Sequence, residues 1–471
     1  MANADYELSP LAPLLACCYG AAFPRLNANE GMRLEREYRH LRNLLAKGIP
    51  IYGGNRRPGH RETEPEISED ALSTQILQSH AIGDAPWYDQ EQARCISVAK
   101  LAMWRAGGSG VSLRLYNRVV NLLSDPEFQP LIPKRNSYSA GDVIPAAHWS
   151  QAVISGSPRT GVYTGHPEIM AMINGSFIHA GIALNTIPLL RDAWVLFFEN
   201  TVAFMHILRN NSFLHISRVG LAPAANTASK LLRHATRNSP LVAGLQDSIS
   251  LRATDEVFET LLEAVDRMAQ RLTESLQRPS CNPLISESHN SGVSQASFFL
   301  PALSVAQNAL IDALLFAMWA QVGRTTFLLS GDVAKIPSDG ATSRSPLGLI
   351  QYPKQMMALL EEARAKGGRS VYSSGGSTSY GIEDLWSNGI TTTENLSEIC
   401  RCFFRMSSIE TCVLKYLQQE GLMYINNEYD IVFSKHSEIP EKLKPSSISR
   451  AVIEKLKIDP DYPKYGFPIN F

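Results

Sequence analysis

Apolar residues along this chain return at the three- to four-residue spacing of helices, and no regular succession of strands and helices interrupts them. From Asp255 to Leu276 the positions Val257, Phe258, Leu261, Leu262, Val265, Met268 and Leu272 fall on one face, with Glu259, Glu263 and Asp266 on others. That spacing predicts a long amphipathic helix that buries one stripe against a bundle. Asp89 to Arg105 starts polar, continues with helical periodicity and stops at Gly107-Gly108. Glycine accepts left-handed backbone geometry and so makes a favourable helix end. The longest apolar stretch, Phe298 to Val322, carries Ser304, Gln307, Asn308 and Asp312, which are costly facing lipid, so it reads as a buried bundle helix. Short turns such as Asn238-Ser239-Pro240 separate the periodic runs. An all-α architecture is expected on this pattern alone.

Ser373-Ser374-Gly375-Gly376-Ser377-Thr378-Ser379 is a low-complexity loop that fits a surface connector or a lid. The tail after Ile439, with Pro440, Pro445, Pro460, Pro463 and Pro468, reads as a last helix plus extended ends, and no internal repeat is evident. With 471 residues, 44% of them hydrophobic, the chain can bury a large core. Length alone would allow two to four domains. A formal net charge of -1, with lysines and arginines dispersed, gives no electrostatic case for nucleic acid or an anionic membrane as partner.

Met1 to Glu7 lacks the basic region of a secretory signal, so Leu8 to Phe23 reads as an ordinary packed segment and a cytoplasmic location is expected. Seven cysteines is an odd count and Cys17-Cys18 are neighbours, which favours reduced thiols. Cys400, Cys402 and Cys412 lack the second Cys or His pair that zinc requires, so no metal is expected. Gly107-Gly108-Ser109-Gly110 follows a helix instead of a strand and has no Lys-Ser/Thr after it, which argues against a phosphate cradle there.

The most informative stretch is Ser137-Tyr138-Ser139-Ala140-Gly141-Asp142, followed by Pro145-Ala146-Ala147-His148. It resembles the signature of the histidine and aromatic amino acid ammonia-lyases, in which an Ala-Ser-Gly-Asp run precedes Pro-Leu-Ala-His and cyclises to the electrophile methylideneimidazolone. Other landmarks of that family follow in order. Ile51-Tyr52-Gly53-Gly54-Asn55 resembles the segment that carries its tyrosine base, and Ser79-His80-Ala81-Ile82-Gly83 its Ser-His-Ala-x-Gly. Arg105 to Val111 resembles the turn before the helix that leads to the cofactor loop. Ile173-Asn174-Gly175, Gln246-Asp247-Ser248-Ile249-Ser250-Leu251-Arg252 and Ile382-Glu383-Asp384 resemble its remaining active-site segments. The resemblance implies one elongated helical unit, with an active-site region over 1–200 and a long-helix bundle over 201–471. It also implies a homotetramer whose sites are shared between subunits.

Four departures fall at or beside the implied site. Ala140 stands where the family has the serine that loses its hydroxyl, so no methylideneimidazolone is expected and Ser139, Ala140, Gly141 and Asp142 form a degenerate cofactor loop. Ile249 replaces a second active-site tyrosine, and Arg56-Arg57-Pro58-Gly59 replaces a glycine-rich loop. The family's aromatic before a long helix is missing from Gly292-Val293-Ser294-Gln295.

What remains is an acid/base set. Tyr52 is the candidate base, provided that Arg56, Arg57 or Arg252 lowers its phenol. Arg252 also suits a carboxylate clamp, beside Ile249 and Arg56 as substrate contacts. Asn174 and Gln246 offer amide donors to a developing oxyanion, and His80 and Glu383 add titratable groups.

Three functions are open at this point. The first is a lyase-type enzyme without the prosthetic group, running elimination, addition or cyclisation on a small activated carbonyl or carboxylate substrate in specialised metabolism. The second is a genuine ammonia-lyase or aminomutase. The third is a non-catalytic pseudoenzyme.

Overall fold

The computed structural model describes residues 10–64, 68–135, 137–138, 140–164, 168–207, 248–332, 336–367 and 376–423. Among these residues there is no strand, only isolated bridges such as Tyr52 to Arg56 and Thr378 to Glu383. The chain begins with α1 (Ala12–Cys18), α2 (Ala28–Ala46), α3 (Glu69–His80), α4 (Gln90–Arg105) and α5 (Leu113–Leu123). The loop before α6 (Val143–Ser155) is the one the sequence singles out, and α7 (Ile169–Ile173) leads into α8 (Phe177–Ile207). Then come α9 (Ile249–Arg252), α10 (Thr254–Gln277), α11 (Pro301–Leu328), α12 (Tyr352–Gly367) and α13 (Gly389–Gln419).

Local chemistry sets the helix ends. Asn27 with Glu30, and Asp89 with Gln92, form reciprocal capping boxes at the starts of α2 and α4. Gly108, just past α4, has φ +73°, and a Cβ there would lie 2.2 Å from Leu284 Cδ1. Glycine is therefore required on both conformational and steric grounds. All seven apolar positions expected on α10 are buried. The longest apolar stretch becomes α11, which starts at Pro301, a position that suits proline because its missing N–H has no helical partner.

The bundle is built on the long helices. α8 packs on α13 and α4, α11 on α10 and α13, and α12 closes against α11 and α13. α8 carries the chain across residue 200 without a break. α8 and α11 are both long and apolar enough to cross a membrane, but most of each apolar window is buried inside the protein. They are core helices of the bundle. At its centre Arg324 of α11 and Glu410 of α13 are 2% and 0% exposed in their side chains and meet at 2.6 Å. The guanidinium also donates to Thr201 of α8 at 2.6 Å and stacks over Phe197 and Phe204. Gln321 donates to the same carboxylate at 3.0 Å.

A second lock sits nearer the loop end, where His179 of α8 donates from Nε2 to Gln307 Oε1 at 2.8 Å, which also accepts from Thr393 Oγ1 at 3.0 Å. Burial pushes this imidazole down to about 4, so it stays neutral. Gly389 begins α13 against the ring, and a Cβ there would lie 2.3 Å from Nδ1.

Breaking the Arg324–Glu410 pair leaves one charge buried alone, which costs about 3–5 kcal/mol. Arg324→Met and Glu410→Gln are each expected to lose stability of that order in urea unfolding. The double variant Arg324→Met with Glu410→Leu is expected to recover much of it, because the two apolar groups leave no orphaned charge.

Candidate active site

The loop that carries Tyr52 is folded by Asn55, whose Oδ1 accepts from Ile51 N–H at 2.7 Å and whose Nδ2 donates to Ile49 carbonyl at 3.1 Å. Gly53, at φ +68°, lets this loop lie against Met170 of α7, where a Cβ would approach Met170 Cγ to 1.9 Å. α7 then runs directly into Asn174. A small cavity of about 40 Å³ is lined by Tyr52, Met170 and Pro283. On its other side the Tyr52 loop meets the Glu383 loop, with the rings of His60 and Tyr380 4.5 Å apart. Glu383 Oε2 accepts from Thr378 Oγ1 at 3.0 Å and Ser379 Oγ at 3.3 Å.

Asn174 faces the loop that carries Ala140 and Gly141. Ser176 Oγ donates to the Ala140 carbonyl at 3.4 Å, and a Cβ on Gly141 would lie 3.4 Å from Asn174 Oδ1 and 3.6 Å from the Phe298 ring. Asn174 Nδ2 donates to the Asn282 carbonyl at 2.9 Å, while its Oδ1 is buried without a partner among the described residues. The Asn282 carbonyl accepts only, so it fixes the orientation of the amide. Asn174 therefore presents an acceptor to the site, not the oxyanion donor that the sequence suggested.

Beneath it, the fully buried Lys100 of α4 donates to the Asn174 carbonyl at 2.7 Å and lies over Phe177, 4.3 Å from the ring centre. Burial pulls this ammonium down to about 8.

Tyr52 departs from expectation in its charge. Removal from water raises its phenol above the ordinary value of 10, the Gly59 N–H 2.9 Å away opposes this, and Glu383 and Glu62 raise it further. Arg56 and Arg57 do not lower it. Arg56 Nη1 donates to the Glu64 carbonyl at 3.1 Å and Arg57 pairs with the Glu64 carboxylate at 3.4 Å. A neutral phenol beside a carboxylate is a proton donor at neutral pH.

The other expected residues are distributed differently. His80 ends α3, where Nδ1 lies 2.8 Å from the Ile76 carbonyl and 2.8 Å from Ser79 Oγ, and the Gly83 N–H just after it donates to His148 Nε2 of α6 at 3.0 Å. It belongs to the layer behind the loop. Ile249 is 67% exposed, and its neighbour Leu251 packs with Ala203 and Phe204 at the end of α8 remote from Phe177. At 1.5 Å per residue that separation along α8 is on the order of 40 Å. Ile249 and Arg252 therefore do not meet Tyr52 and Asn174 within one chain. Ser139 and Gln246 lie outside the described residues.

Two residues at the site were missed. Phe298, not the Gly292–Gln295 stretch, supplies the aromatic at the loop, and the Phe298-Phe299 pair ahead of Pro301 was the available signal. Lys100 was legible only as a lone cation in the apolar run Val98 to Ala102.

The family model described as aromatic amino acid lyase matches residues 24–417. The chain belongs to that family. Among curated relatives, a histidine ammonia-lyase from Vibrio parahaemolyticus is 24% identical over 62% of this chain and 63% of its own length. One from Desulfotalea psychrophila is 24% identical over 71% of this chain and 72% of its own. The alignment with the first of these spans a little under two thirds of the relative's length.

Among solved structures, a phenylalanine aminomutase from Pantoea agglomerans superposes with a TM-score of 0.84 at 16% identity, covering 95% of this chain and 98% of its own. The ergothioneine-degrading ergothionase from Treponema denticola gives a TM-score of 0.81 at 18% identity, covering 97% and 96%. These likenesses establish the lyase fold.

Asp142 closes the family loop with φ 51° and caps no backbone amide with its side chain. Burial pushes its carboxyl from 3.8 up to about 7. A raised carboxyl favours the folded state while protonated, so its contribution is fully present below about pH 4 and lost as pH rises to about 7. Asp142→Asn keeps the shape without titrating. Its stability relative to the native chain is expected to improve by up to roughly 1.4 kcal/mol per pH unit across that window and then level off, as read from denaturation midpoints.

Proposed function

We propose that this chain is a lyase-type enzyme that works without a methylideneimidazolone group. It runs acid/base elimination, addition or cyclisation on a small activated carbonyl or carboxylate compound, in specialised metabolism. The observation that carries this reading is Ala140, whose carbonyl is held by Ser176 beside Asn174 while its side chain is a methyl group. Formation of the prosthetic group removes a β-hydroxyl at this position, and alanine has none. The loop does not fit that group, and no step is routed through it.

The roles follow from what the remaining residues hold. Tyr52, kept neutral by burial, donates its proton to a leaving group or an enolate oxygen. Glu383, next to it and steadied by two hydroxyls, takes a proton. A carboxylate is too weak a base for an unactivated C–H bond, which restricts the substrate to one whose proton is acidified by a carbonyl or thioester. Asn174 Oδ1, a buried acceptor without a partner among the described residues, orients a substrate O–H or N–H. Leaving that atom unpaired is costly, so it selects for a donor.

The active form on this reading is a cytoplasmic homotetramer with shared sites. Two observations support it: Ile249 and Arg252 lie on the order of 40 Å from Asn174 along the bundle, and α11 exposes Val305, Phe316 and Trp319. Those three side chains recur at near-helical spacing and make an apolar stripe that a second copy can cover. The similarity to histidine ammonia-lyases keeps a second reading in view, ammonia release from histidine or an aromatic amino acid.

With an activated substrate that the native protein turns over, Tyr52→Phe and Glu383→Gln are each expected to lower turnover about 100-fold or more. Unchanged turnover in Tyr52→Phe removes the proposal. Ammonia release across a panel of histidine, phenylalanine and tyrosine favours the second reading. Light scattering is expected to report a tetramer for the native protein and smaller species for Phe316→Glu; a native monomer contradicts the shared site.

A further inference from the structure

A cavity of about 770 Å³ opens between the loop before α6 and the first turns of α13. Tyr138 lines it and packs against Trp386, with ring centres 4.4 Å apart and the planes tilted by 41°, while Gly141, three residues on, faces Asn174 and Phe298. The Tyr138 hydroxyl donates to the Gly376 carbonyl at 2.8 Å, which fixes the ring against the wall. The cavity is thus separate from the space beside Tyr52, and nothing in the acid/base reading uses it.

Its charge is uneven. Lys134, Arg135 and Lys366 line it, and among the described residues none of them has a carboxylate within ion-pair distance. Of the two glutamates that line it, Glu398 is already paired with Arg401. Glu394 is the remaining one, and its Oε1 is buried without a hydrogen-bond partner among the described residues. Three cations against one unpaired carboxylate leave an excess of two positive charges. Burial raises the Glu394 carboxyl, and the nearby Lys134 ammonium opposes that rise. Ser137 Oγ is likewise buried without a partner among the described residues, and Thr391 adds a second hydroxyl to the lining.

A positively charged cleft, hydroxyl groups and an aromatic wall are together the recognition chemistry of a ring that carries a dianion. We propose that this cavity binds a phosphate monoester of a planar ring system, of nucleotide size. The ring lies against Tyr138 and Trp386, and the phosphate lies among Lys134, Arg135 and Lys366. A phosphate monoester carries close to two negative charges at neutral pH, which matches the excess, whereas a single carboxylate leaves it half neutralised. Ligand cavities of this kind run from roughly 300 to 1,000 Å³, so the volume suits a whole nucleotide. Because Tyr138 belongs to the same loop as Ala140, occupancy bears directly on the backbone beside Asn174.

The test uses the full-length protein and isothermal titration calorimetry with adenosine monophosphate, adenosine, inorganic phosphate and benzoate. Saturable binding of the nucleotide is expected, tighter than inorganic phosphate by about tenfold or more, with adenosine and benzoate weaker still. Arg135→Glu combined with Lys366→Glu changes two exposed side chains, so the variant is expected to keep the native melting temperature. It is expected to lose nucleotide affinity by about tenfold or more. Trp386→Leu is expected to weaken the nucleotide but not inorganic phosphate. Absence of saturable nucleotide binding overturns the proposal, as does equal affinity in the charge-reversed protein. Phosphate and nucleotide binding alike, with Trp386→Leu silent, overturns the ring-bearing ligand.

Discussion

The buried ion pair between Arg324 and Glu410 is the constraint on which the rest of the molecule depends. Three helices meet there, α11 and α13 through the pair itself and α8 through Thr201 and the two phenylalanine rings under the guanidinium. An apolar helix face can slide along another at little cost, but a desolvated charge has few positions in which all its hydrogen bonds are made. The pair therefore fixes the axial register of the long helices. Their loop-side ends are then pinned by His179, Gln307 and Thr393, with Gly389 admitting the close approach. That register places Gly175 and Ser176 at the start of α8 under the Ala140 carbonyl, and Trp386 just ahead of α13 against Tyr138.

Near this end the polar groups are arranged with one notable omission. Lys100 holds the Asn174 carbonyl, Asn282 holds its amide nitrogen, and Oδ1 is left facing Gly141. A buried acceptor that the surrounding structure orients but does not satisfy is costly to keep, and it is positioned for a ligand. Tyr52 is neutral for a related reason, since burial and nearby carboxylates both oppose its ionisation. The site thus offers a proton and an acceptor, the pair on which the proposed acid/base chemistry rests.

Much of this was legible in the sequence because it is local. The stripe on α10 and the Gly107-Gly108 end of α4 depend on residues within a turn of one another, and the ordered motifs identified the family. What depends on tertiary path was not legible. Whether Arg56 and Arg57 face the Tyr52 phenol or Glu64 is decided by the fold of one loop, which turns them to Glu64 although Tyr52 is nearer in sequence. The aromatic at Gly141 comes from Phe298, a few residues beyond the matching motif, because the chain crosses the loop where α11 begins. The long separation of Ile249 from Asn174 follows from the length of α8, which no motif states.

The central claim is that this fold operates with an unmodified loop. Intact-mass measurement of the purified protein, with peptide mapping across Asn136 to Ala146, tests it most directly. The account predicts the mass of the unaltered chain, with Ser139-Ala140-Gly141 recovered as an ordinary linear tripeptide. A peptide that has lost water and closed into a ring at these positions would contradict it and bring amino acid deamination to the front.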